Sequence, residues 1–482
     1  MYIIFGFLPL GANLILIPFI TNALLPEEYA LVGLSVIIQT YLSFFISLSL
    51  DSSFTRYYYE VESTARRRNI LGTCIMLFAI MAMAVAILVI LFFPLYKLIF
   101  HTQFHENLLS VFLYSLLNAW AVVVVSFITT YFRLEENVKK FVLISTISFF
   151  IPAFAVIFSI NYFGGSASSV IISRALSAAV ISVLIIVFFF GTKKLSFEKT
   201  LLKKMLVFSL PLMGYQLFFA VFSTIDRMFV LSNTTFETSE AGVYNFAVLI
   251  STIFLVFTSS WYNAVSPAIY TSIKKENFNL AVQLQNFSLI ITNLGLFLCV
   301  LFVCPAVFLI ISTSYHSCLT YIGLLFMAFV PYTYYLIYQI PVFFEKKTYV
   351  FLLNSIAALL AALSVCVLGI EKFGMYAVIA SVITAKIVQL LVNHYFFYKQ
   401  KLNKLPYMQG VWPLWRILAI FMFYLFVYWM VKPITLGAIM LVNAVPLLLL
   451  LVYMVFYYHS FFHDLKFLFT NKVIVNEADR ES

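Results

Sequence analysis

The sequence has few charged residues and lacks the motifs that mark most enzymes and metal proteins. Charged side chains make up 10% of its 482 residues, whereas soluble globular chains carry about 25%. The five cysteines form no CxxC pair, so neither a disulfide framework nor a zinc site is indicated. A P-loop and a GxSxG nucleophile motif are also missing. These absences argue against a soluble domain and against an enzyme, and no metal or organic cofactor is predicted.

Long apolar stretches fill the chain instead. Hydrophobic residues make up 63% of the sequence, with 54 Phe and 30 Tyr spread along it. Because a transmembrane helix needs about 20 mainly apolar residues, the pattern predicts an all-α polytopic membrane protein with about 14 spans. The predicted spans are residues 2–24, 29–54, 70–95, 108–131, 139–162, 167–191, 206–231, 241–264, 282–312, 319–343, 349–369, 375–398, 413–431 and 435–457. The predicted connections are too short for a soluble domain.

Basic residues are distributed unevenly between the predicted spans. Most lie in connections that follow even-numbered spans, such as residues 66–68 and 193–204. Connections after odd-numbered spans hold only Lys97, Lys372 and Lys432. The positive-inside rule therefore predicts that both chain termini are cytoplasmic. The net charge of +10 is then explained by anionic lipid headgroups rather than by a nucleic-acid partner.

Short motifs recur in the same order in the two halves of the chain. FLPLGAN around Pro9 resembles SLPLMGYQ around Pro211, and YFRLEENVKKF after span 4 resembles VFFEKKTYVF after span 10. The offsets are about 200–215 residues, which predicts that spans 1–6 and 7–12 are two copies of one six-helix unit in the same orientation. The predicted organisation is an N-terminal lobe (1–191), a basic cytoplasmic linker (192–204), a C-terminal lobe (205–398), two extra helices (399–458) and a cytoplasmic tail (459–482).

Several segments resemble the polysaccharide-flippase branch of the multidrug/oligosaccharidyl-lipid/polysaccharide exporter superfamily. They are LLPEEYA closing span 1, LDSSFTRYYYE closing span 2, SLPLMGYQLFFAVFSTIDRMFV in span 7 and SEAGVYNFAVLI opening span 8. The resemblance implies a MATE-like fold, with two six-helix lobes around a central cavity. It also implies a bacterial inner-membrane protein that moves an undecaprenyl-diphosphate-linked oligosaccharide for O-antigen, lipopolysaccharide or capsule biosynthesis. The expected partners are this lipid, membrane lipids and other polysaccharide-assembly proteins.

Basic residues inside the predicted spans are the first candidates for a site, because a charge at the bilayer centre costs about 2.5–3.5 kcal/mol on insertion scales. Lys386 lies roughly 18 Å from either end of span 12, and Arg174 lies in the equivalent span 6. Both are predicted to bind an anionic headgroup, since Arg in particular matches phosphate oxygens. Arg56, at the cytoplasmic surface, is predicted to contact the entering headgroup. The alternatives are buried structural pairs for Lys386 and Arg174, and a snorkelling interfacial side chain for Arg56.

Three charged residues, Asp51, Asp226 and Arg227, are predicted to serve coupling or gating. Asp51 lies about one turn inside the cytoplasmic end of span 2. Asp226 and Arg227 are adjacent in span 7 and do not face each other on a helix. Asp226 is a candidate carrier of a coupling proton or sodium ion, and the alternative is a salt bridge between the lobes.

A tyrosine-rich segment in span 10 is the last candidate. Pro331 and Pro341 are predicted to break or kink this helix, and irregular backbone at membrane depth is tolerated where it is buried or lines water. Tyr334, Tyr338 and Gln339 are therefore predicted to form a sugar-contacting wall. The alternative is tyrosine-rich packing between helices.

The predicted function is a lipid-linked oligosaccharide flippase that works by alternating access. The alternative is a cation-coupled drug or metabolite antiporter of the same fold. Cationic drugs favour acidic residues deep in a lobe, whereas the deep charges of this sequence are mainly basic. A membrane glycosyltransferase or polymerase is disfavoured because it needs a sizeable loop outside the membrane.

Overall fold

The computed structural model describes residues 8–60, 63–99, 107–190, 199–344 and 349–399. Within these ranges the chain is almost entirely α-helical and contains no strand. Nine helical segments in these ranges are long and apolar enough to cross a membrane, and one of them, Cys318–Gln339, consists of two consecutive helices. The predicted class, an all-α polytopic membrane protein, is confirmed. The predicted count of 14 spans is not, because spans 13 and 14 lie outside the described residues, as do the tail and most of the linker.

The described helices follow predicted spans 1–12 in order, and spans 2, 3 and 10 are each divided into two helices. The helices are α1 (Leu8–Ala23), α2 (Pro26–Ser47), α3 (Leu50–Glu60), α4 (Thr64–Leu91), α5 (Phe93–Ile99), α6 (Leu108–Leu134), α7 (Val138–Phe163), α8 (Ala167–Phe190), α9 (Lys199–Ser232), α10 (Thr238–Lys274), α11 (Phe278–Ile310), α12 (Cys318–Met327), α13 (Phe329–Phe344), α14 (Tyr349–Phe373) and α15 (Met375–Lys399). A 3₁₀ turn at Thr313–Tyr315 lies between α11 and α12.

The break between α2 and α3 is a pair of left-handed residues. Leu48 has φ +49° and Ser49 has φ +54°, a conformation that costs an L-residue about 1–2 kcal/mol. Contacts offset this cost, because Ser49 is fully buried and its hydroxyl donates to Gln216 Oε1 on α9 at 2.6 Å. The prediction of one continuous span over residues 29–54 was therefore wrong. No glycine or proline marks the interruption, so the sequence pattern does not reveal it.

The break in span 10 falls just before the first of its two prolines. Helix α12 ends at Met327 and α13 begins at Phe329, so Pro331 lies in the first turn of α13. Proline is tolerated there because a first-turn N–H has no acceptor within the helix. The predicted break is confirmed near Pro331, whereas the helix continues past Pro341 to Phe344.

The helices pack as two neighbouring groups. In the N-terminal half (residues 8–190), α6 packs against α2, α4 and α8, and α7 packs against α1 and α8. In the C-terminal half (residues 199–399), α15 packs against α13 and α14, and α11 packs against α10. The two halves meet where α2 and α3 pack against α9 and α10. We call the side of the molecule where α1 ends and α2 begins the Pro26 face, and the opposite side, where α10 ends, the Lys274 face.

The two halves are in tight contact at the Pro26 face. A Cβ atom built on Gly242 would lie 1.7 Å from the carbonyl oxygen of Pro26, so α10 approaches α2 as closely as glycine permits. Nearby, the Tyr315 hydroxyl donates to the Leu24 carbonyl oxygen at 3.0 Å. Tyr29 packs edge-on against the Tyr315 ring at 5.9 Å. These contacts close the molecule on this face.

The interface continues deeper along α2. A Cβ atom on Gly33 would lie 2.8 Å from Asn245 Cγ, so a buried amide of α10 fills the space beside this glycine. About two turns further along α2, the hydroxyl groups of Tyr41 and Thr224 are hydrogen-bonded. The Ser49–Gln216 bond follows at the end of the same line. Polar contacts thus join the halves from the Pro26 face to the break between α2 and α3.

Candidate functional site

The N-terminal half encloses a cavity of about 370 Å³, which we call the N-terminal cavity. Helices α1, α2, α6, α7 and α8 line it. Helix α6 contributes positions 118, 121, 122, 125, 126 and 129, a spacing that places them on one helix face. Eleven residues separate the first from the last, so the cavity extends roughly 16 Å along this helix.

Arg174 on α8 lines two spaces at once. It borders the N-terminal cavity and also a smaller cavity of about 90 Å³. The smaller cavity reaches Phe246 and Leu249 on α10, in the other half of the molecule. The Arg174 side chain is half-buried. The structure thus places this predicted site residue between the interior of its own half and the interface.

The C-terminal half encloses a second cavity, of about 310 Å³, which we call the C-terminal cavity. Helices α9, α10, α12, α13, α14 and α15 contribute to its wall. Three residues predicted as site residues line it, namely Asp226, Arg227 and Lys386. Arg174 and Lys386 therefore lie in separate cavities, one in each half.

The Lys386 ammonium group is held by aromatic rings and one amide. Its Nζ atom lies 4.8 Å from the centroid of the Phe222 ring and 4.9 Å from that of Tyr332. It also donates to Gln389 Oε1 at 3.3 Å. The ring faces attract the cation, and a lysine ammonium has three donors. These contacts hold the charge at the cavity wall, and the bond to Gln389 uses one of its three donors.

Asp226 is buried, with 7% of its surface exposed, and it accepts a hydrogen bond from the Tyr244 hydroxyl at 2.6 Å. Tyr244 lies on α10, so this bond links two helices of the same half. The next residue, Arg227, also lines the cavity, and its Nε atom is buried without a hydrogen-bond partner among the described residues. The bond that the structure shows for Asp226 is thus a bond within one half.

The tyrosine-rich segment of α13 faces several directions. Tyr334 is 1% exposed and belongs to the hydrophobic core. Tyr338 packs edge-on against His394 with centroids 5.0 Å apart, and Gln339 is half-buried. None of these three is among the described residues that line the two cavities, whereas Tyr332 is.

Tyr332 belongs to the same tyrosine-rich segment but was not among the three predicted site residues, although a helical spacing marks it. The C-terminal cavity is lined by Leu325 and by Phe329 and Tyr332, which follow it by four and seven residues. Tyr334 lies off this face. Once the cavity is known, the spacing therefore separates the cavity-lining tyrosine from the packing tyrosines.

Asp51 and Arg56 lie on α3, beyond the left-handed pair. Asp51 is exposed and is the second residue of the helix, where a carboxylate is stabilised by the helix dipole. Its carbonyl oxygen accepts a hydrogen bond from the Thr55 hydroxyl at 3.0 Å. The side chain of Arg56 lies outside the described part of the structure. The new helix start thus gives Asp51 a structural role, and the predicted gating role stays a prediction.

A model of the family described as polysaccharide biosynthesis protein matches residues 1–273, which is more than half of the chain. The chain belongs to this family. No curated protein matches the sequence of this family member. The match confirms the predicted superfamily, and the comparison with solved structures adds the fold.

The fold of this polysaccharide biosynthesis family member is similar to those of MATE transporters and of a lipid flippase. An inward-facing MATE multidrug resistance transporter of the MOP superfamily matches with a TM-score of 0.66 at 14% identity, covering 83% of this chain and 95% of that chain. The lipid II flippase MurJ in an inward closed conformation matches with a TM-score of 0.64 at 14% identity, covering 94% and 97%. An outward-facing MATE transporter gives 0.58 at 14% identity, covering 84% and 94%.

Proposed function

We propose that this family member is a flippase that moves an undecaprenyl-diphosphate-linked oligosaccharide from the cytoplasmic to the periplasmic leaflet for O-antigen or capsule biosynthesis. The observation that carries the proposal is a basic side chain at a cavity wall in each half. Arg174 lies seven residues after the first residue of α8, and Lys386 lies 11 residues after the first residue of α15. The difference of four residues is about one helical turn, so the two charges have matching positions in equivalent helices.

Basic cavity walls favour an anionic substrate such as a diphosphate. Arginine presents a planar fork that fits phosphate oxygens, and lysine supplies a compact charge with three donors. Membership of the polysaccharide biosynthesis family and a fold like that of a lipid II flippase support a lipid-linked sugar. Since the prenyl tail is apolar, it would stay in the bilayer while the headgroup enters between the halves.

Alternating access would use the interface between the halves as its gate. The Pro26 face is closed by the Gly242–Pro26 and Tyr315–Leu24 contacts. Most basic residues lie in the connections predicted to follow even-numbered spans. Helix α10, which is predicted span 8, ends on the Lys274 face, so the positive-inside rule would turn this face toward the cytoplasm. The structure would then correspond to a state that loads from the cytoplasmic leaflet, with Arg56 on the entry side.

A cation-coupled drug or metabolite antiporter is the second candidate, and the buried Asp226 is the observation that favours it. A carboxylate in a cavity can hold a proton or a sodium ion. However, Arg227 and Lys386 line the same cavity, so its described charges sum to a net positive value. Because a positive cavity repels cationic drugs, the flippase is the better account.

Complementation of a strain that lacks its polysaccharide flippase tests the proposal. Wild-type protein is expected to restore surface polysaccharide, and the variant carrying both Arg174→Gln and Lys386→Met is expected to lose this activity. Lys139→Ala, which removes an exposed charge at the start of α7, is the matched control and should complement fully. Full activity in the double variant at wild-type expression would contradict the proposed role of the cavity charges.

A further inference from the structure

The two cavities differ in chemistry. The C-terminal cavity combines three charged side chains with aromatic rings such as Phe222 and Tyr332. Of the 18 residues that line the N-terminal cavity, ten are apolar and seven carry a hydroxyl or amide group. Arg174 is the one charged side chain among the described residues that line it. Hydroxyl and amide groups away from water are costly unless each has a hydrogen-bond partner. Thr129 and Ser182 have partners in helix carbonyl groups, and the other polar groups of this cavity offer hydrogen bonds to a guest that also has apolar faces.

An amide pair provides the first recognition element. Asn118 Nδ2 on α6 donates to Gln39 Oε1 on α2 at 2.7 Å, and both side chains line the cavity. The bond fixes both amides and uses one donor and one acceptor. Each amide carries both functions, so the Gln39 nitrogen and the Asn118 oxygen stay available to a ligand. A fixed donor beside a fixed acceptor matches neighbouring hydroxyl groups on a sugar ring.

Helix α7 supplies the facing wall. Ser145, Ser148, Phe149 and Pro152 line the cavity from this helix. The Ser148 oxygen is buried and has no hydrogen-bond partner among the described residues. Buried polar atoms are almost always satisfied in folded proteins, so this hydroxyl points to a guest or to water. The Phe149 ring beside it offers an apolar surface for the C–H groups of a sugar.

We propose that the N-terminal cavity is a recognition site for one acidic sugar unit of the transported oligosaccharide. The amide pair and the α7 serines bind ring hydroxyls, and Arg174 binds the carboxylate of a hexuronate. The volume of about 370 Å³ falls in the range of small-molecule sites, about 300–1,000 Å³. The inference rests on the proposed function, because it assigns the sugar and the diphosphate of one substrate to different cavities.

The diphosphate fits the other cavity better. Its charge calls for more than one basic partner, and the C-terminal cavity has both Arg227 and Lys386. A prenyl tail fits the N-terminal cavity poorly, since the amide pair and the α7 serines would be left unpaired against it. A sugar carboxylate calls for one guanidinium fork, and Arg174 supplies it.

Saturation-transfer NMR on the purified full-length protein tests the site with methyl glucuronide and methyl glucoside as probes. The wild type is expected to bind both sugars and to prefer the glucuronide. Arg174→Gln is expected to abolish this preference and retain the glucoside signal. Ser145→Leu, which fills the cavity, is expected to lose both signals. Ser364→Leu is the matched control, because Ser364 is exposed on α14 and bonds to its own helix at Leu360.

The sugar site would be overturned if neither sugar gave a signal in the wild type, or if Arg174→Gln and Ser145→Leu both gave wild-type signals. It would also be overturned if inorganic diphosphate displaced the glucuronide in the wild type but not in Arg174→Gln. The last result would assign the cavity to the headgroup.

Transport of the undecaprenyl-diphosphate-linked oligosaccharide by the same proteins in liposomes separates this inference from the proposed function. No transport by the wild type overturns the flippase proposal. Transport by the wild type and equally by Ser145→Leu overturns only the sugar site.

Discussion

Replacement of Gly242 by alanine should open the Pro26 face. The added Cβ would lie 1.7 Å from the Pro26 carbonyl oxygen, whereas real Cβ contacts essentially never fall below 3.0 Å. The backbones of α2 and α10 must therefore separate by at least the difference, 1.3 Å. Overpacking of this kind costs about 1–3 kcal/mol. Because the clash exists only when the halves are closed, the ratio of open to closed molecules should rise about 5–150-fold.

Spin labels report this opening directly. Glu27 and Glu237 are exposed and lie at the starts of α2 and α10, so a label pair there spans the interface at the Pro26 face. Electron–electron resonance should show a short distance in the wild type and a larger population of longer distances in Gly242→Ala.

Two other glycines provide matched controls for this experiment. A Cβ atom on Gly214 meets nothing within 4 Å, so Gly214→Ala should give the wild-type distances. A Cβ atom on Gly295 would lie 2.2 Å from Phe257 within the C-terminal half, so Gly295→Ala should lower thermal stability without opening the interface. Identical distances in Gly242→Ala and Gly214→Ala would refute the closed contact as described.

Three further predictions concern single side chains. A double-mutant cycle of Ser49→Ala and Gln216→Ala should give a coupling free energy of about 0.5–1.5 kcal/mol in unfolding measurements. Additive changes in the free energy of unfolding would contradict the hydrogen bond at the break between α2 and α3. Tyr244→Phe should destabilise the protein by about 1.5–3 kcal/mol in thermal unfolding, because the buried Asp226 carboxylate loses its donor; an effect no larger than that of an exposed tyrosine substitution would contradict this. Lys386→Met should keep or raise the melting temperature, since it removes a half-buried charge from the cavity wall, and it should lower transport at least about tenfold. Lys386→Arg, which keeps the charge, is the control. Unchanged transport in Lys386→Met would argue against substrate contact.

Composition and hydropathy were sufficient to predict the helical membrane fold and the order of its first 12 spans. The local breaks were predicted only where a residue type enforces them. Pro331 lacks a backbone N–H and marks the break in span 10, whereas Leu48 and Ser49 adopt left-handed conformations that only contacts with α9 support. Such a break depends on tertiary packing, so a one-dimensional pattern does not contain it.

In the candidate site, too, some features were predicted from the sequence and others depend on tertiary packing. The cost of burying a charge was sufficient to single out Arg174, Lys386 and Asp226, and all three line cavities in the structure. Their distribution over two cavities depends on how six helices pack in each half, which spacing along one helix does not determine. The amide pair of the N-terminal cavity was missed for this reason, because its members lie 79 positions apart on different helices.

Reconstituted transport tests the central claim most directly. Liposomes that contain the purified protein and an undecaprenyl-diphosphate-linked oligosaccharide in the inner leaflet are exposed to an external glycosidase, which cleaves only sugars that have crossed. We expect rapid cleavage with the wild type and cleavage at the rate of protein-free liposomes with the Arg174→Gln, Lys386→Met double variant. Equal rates for wild-type and protein-free liposomes, or for the wild type and the double variant, would contradict the claim that the chain is a flippase acting through its cavity charges.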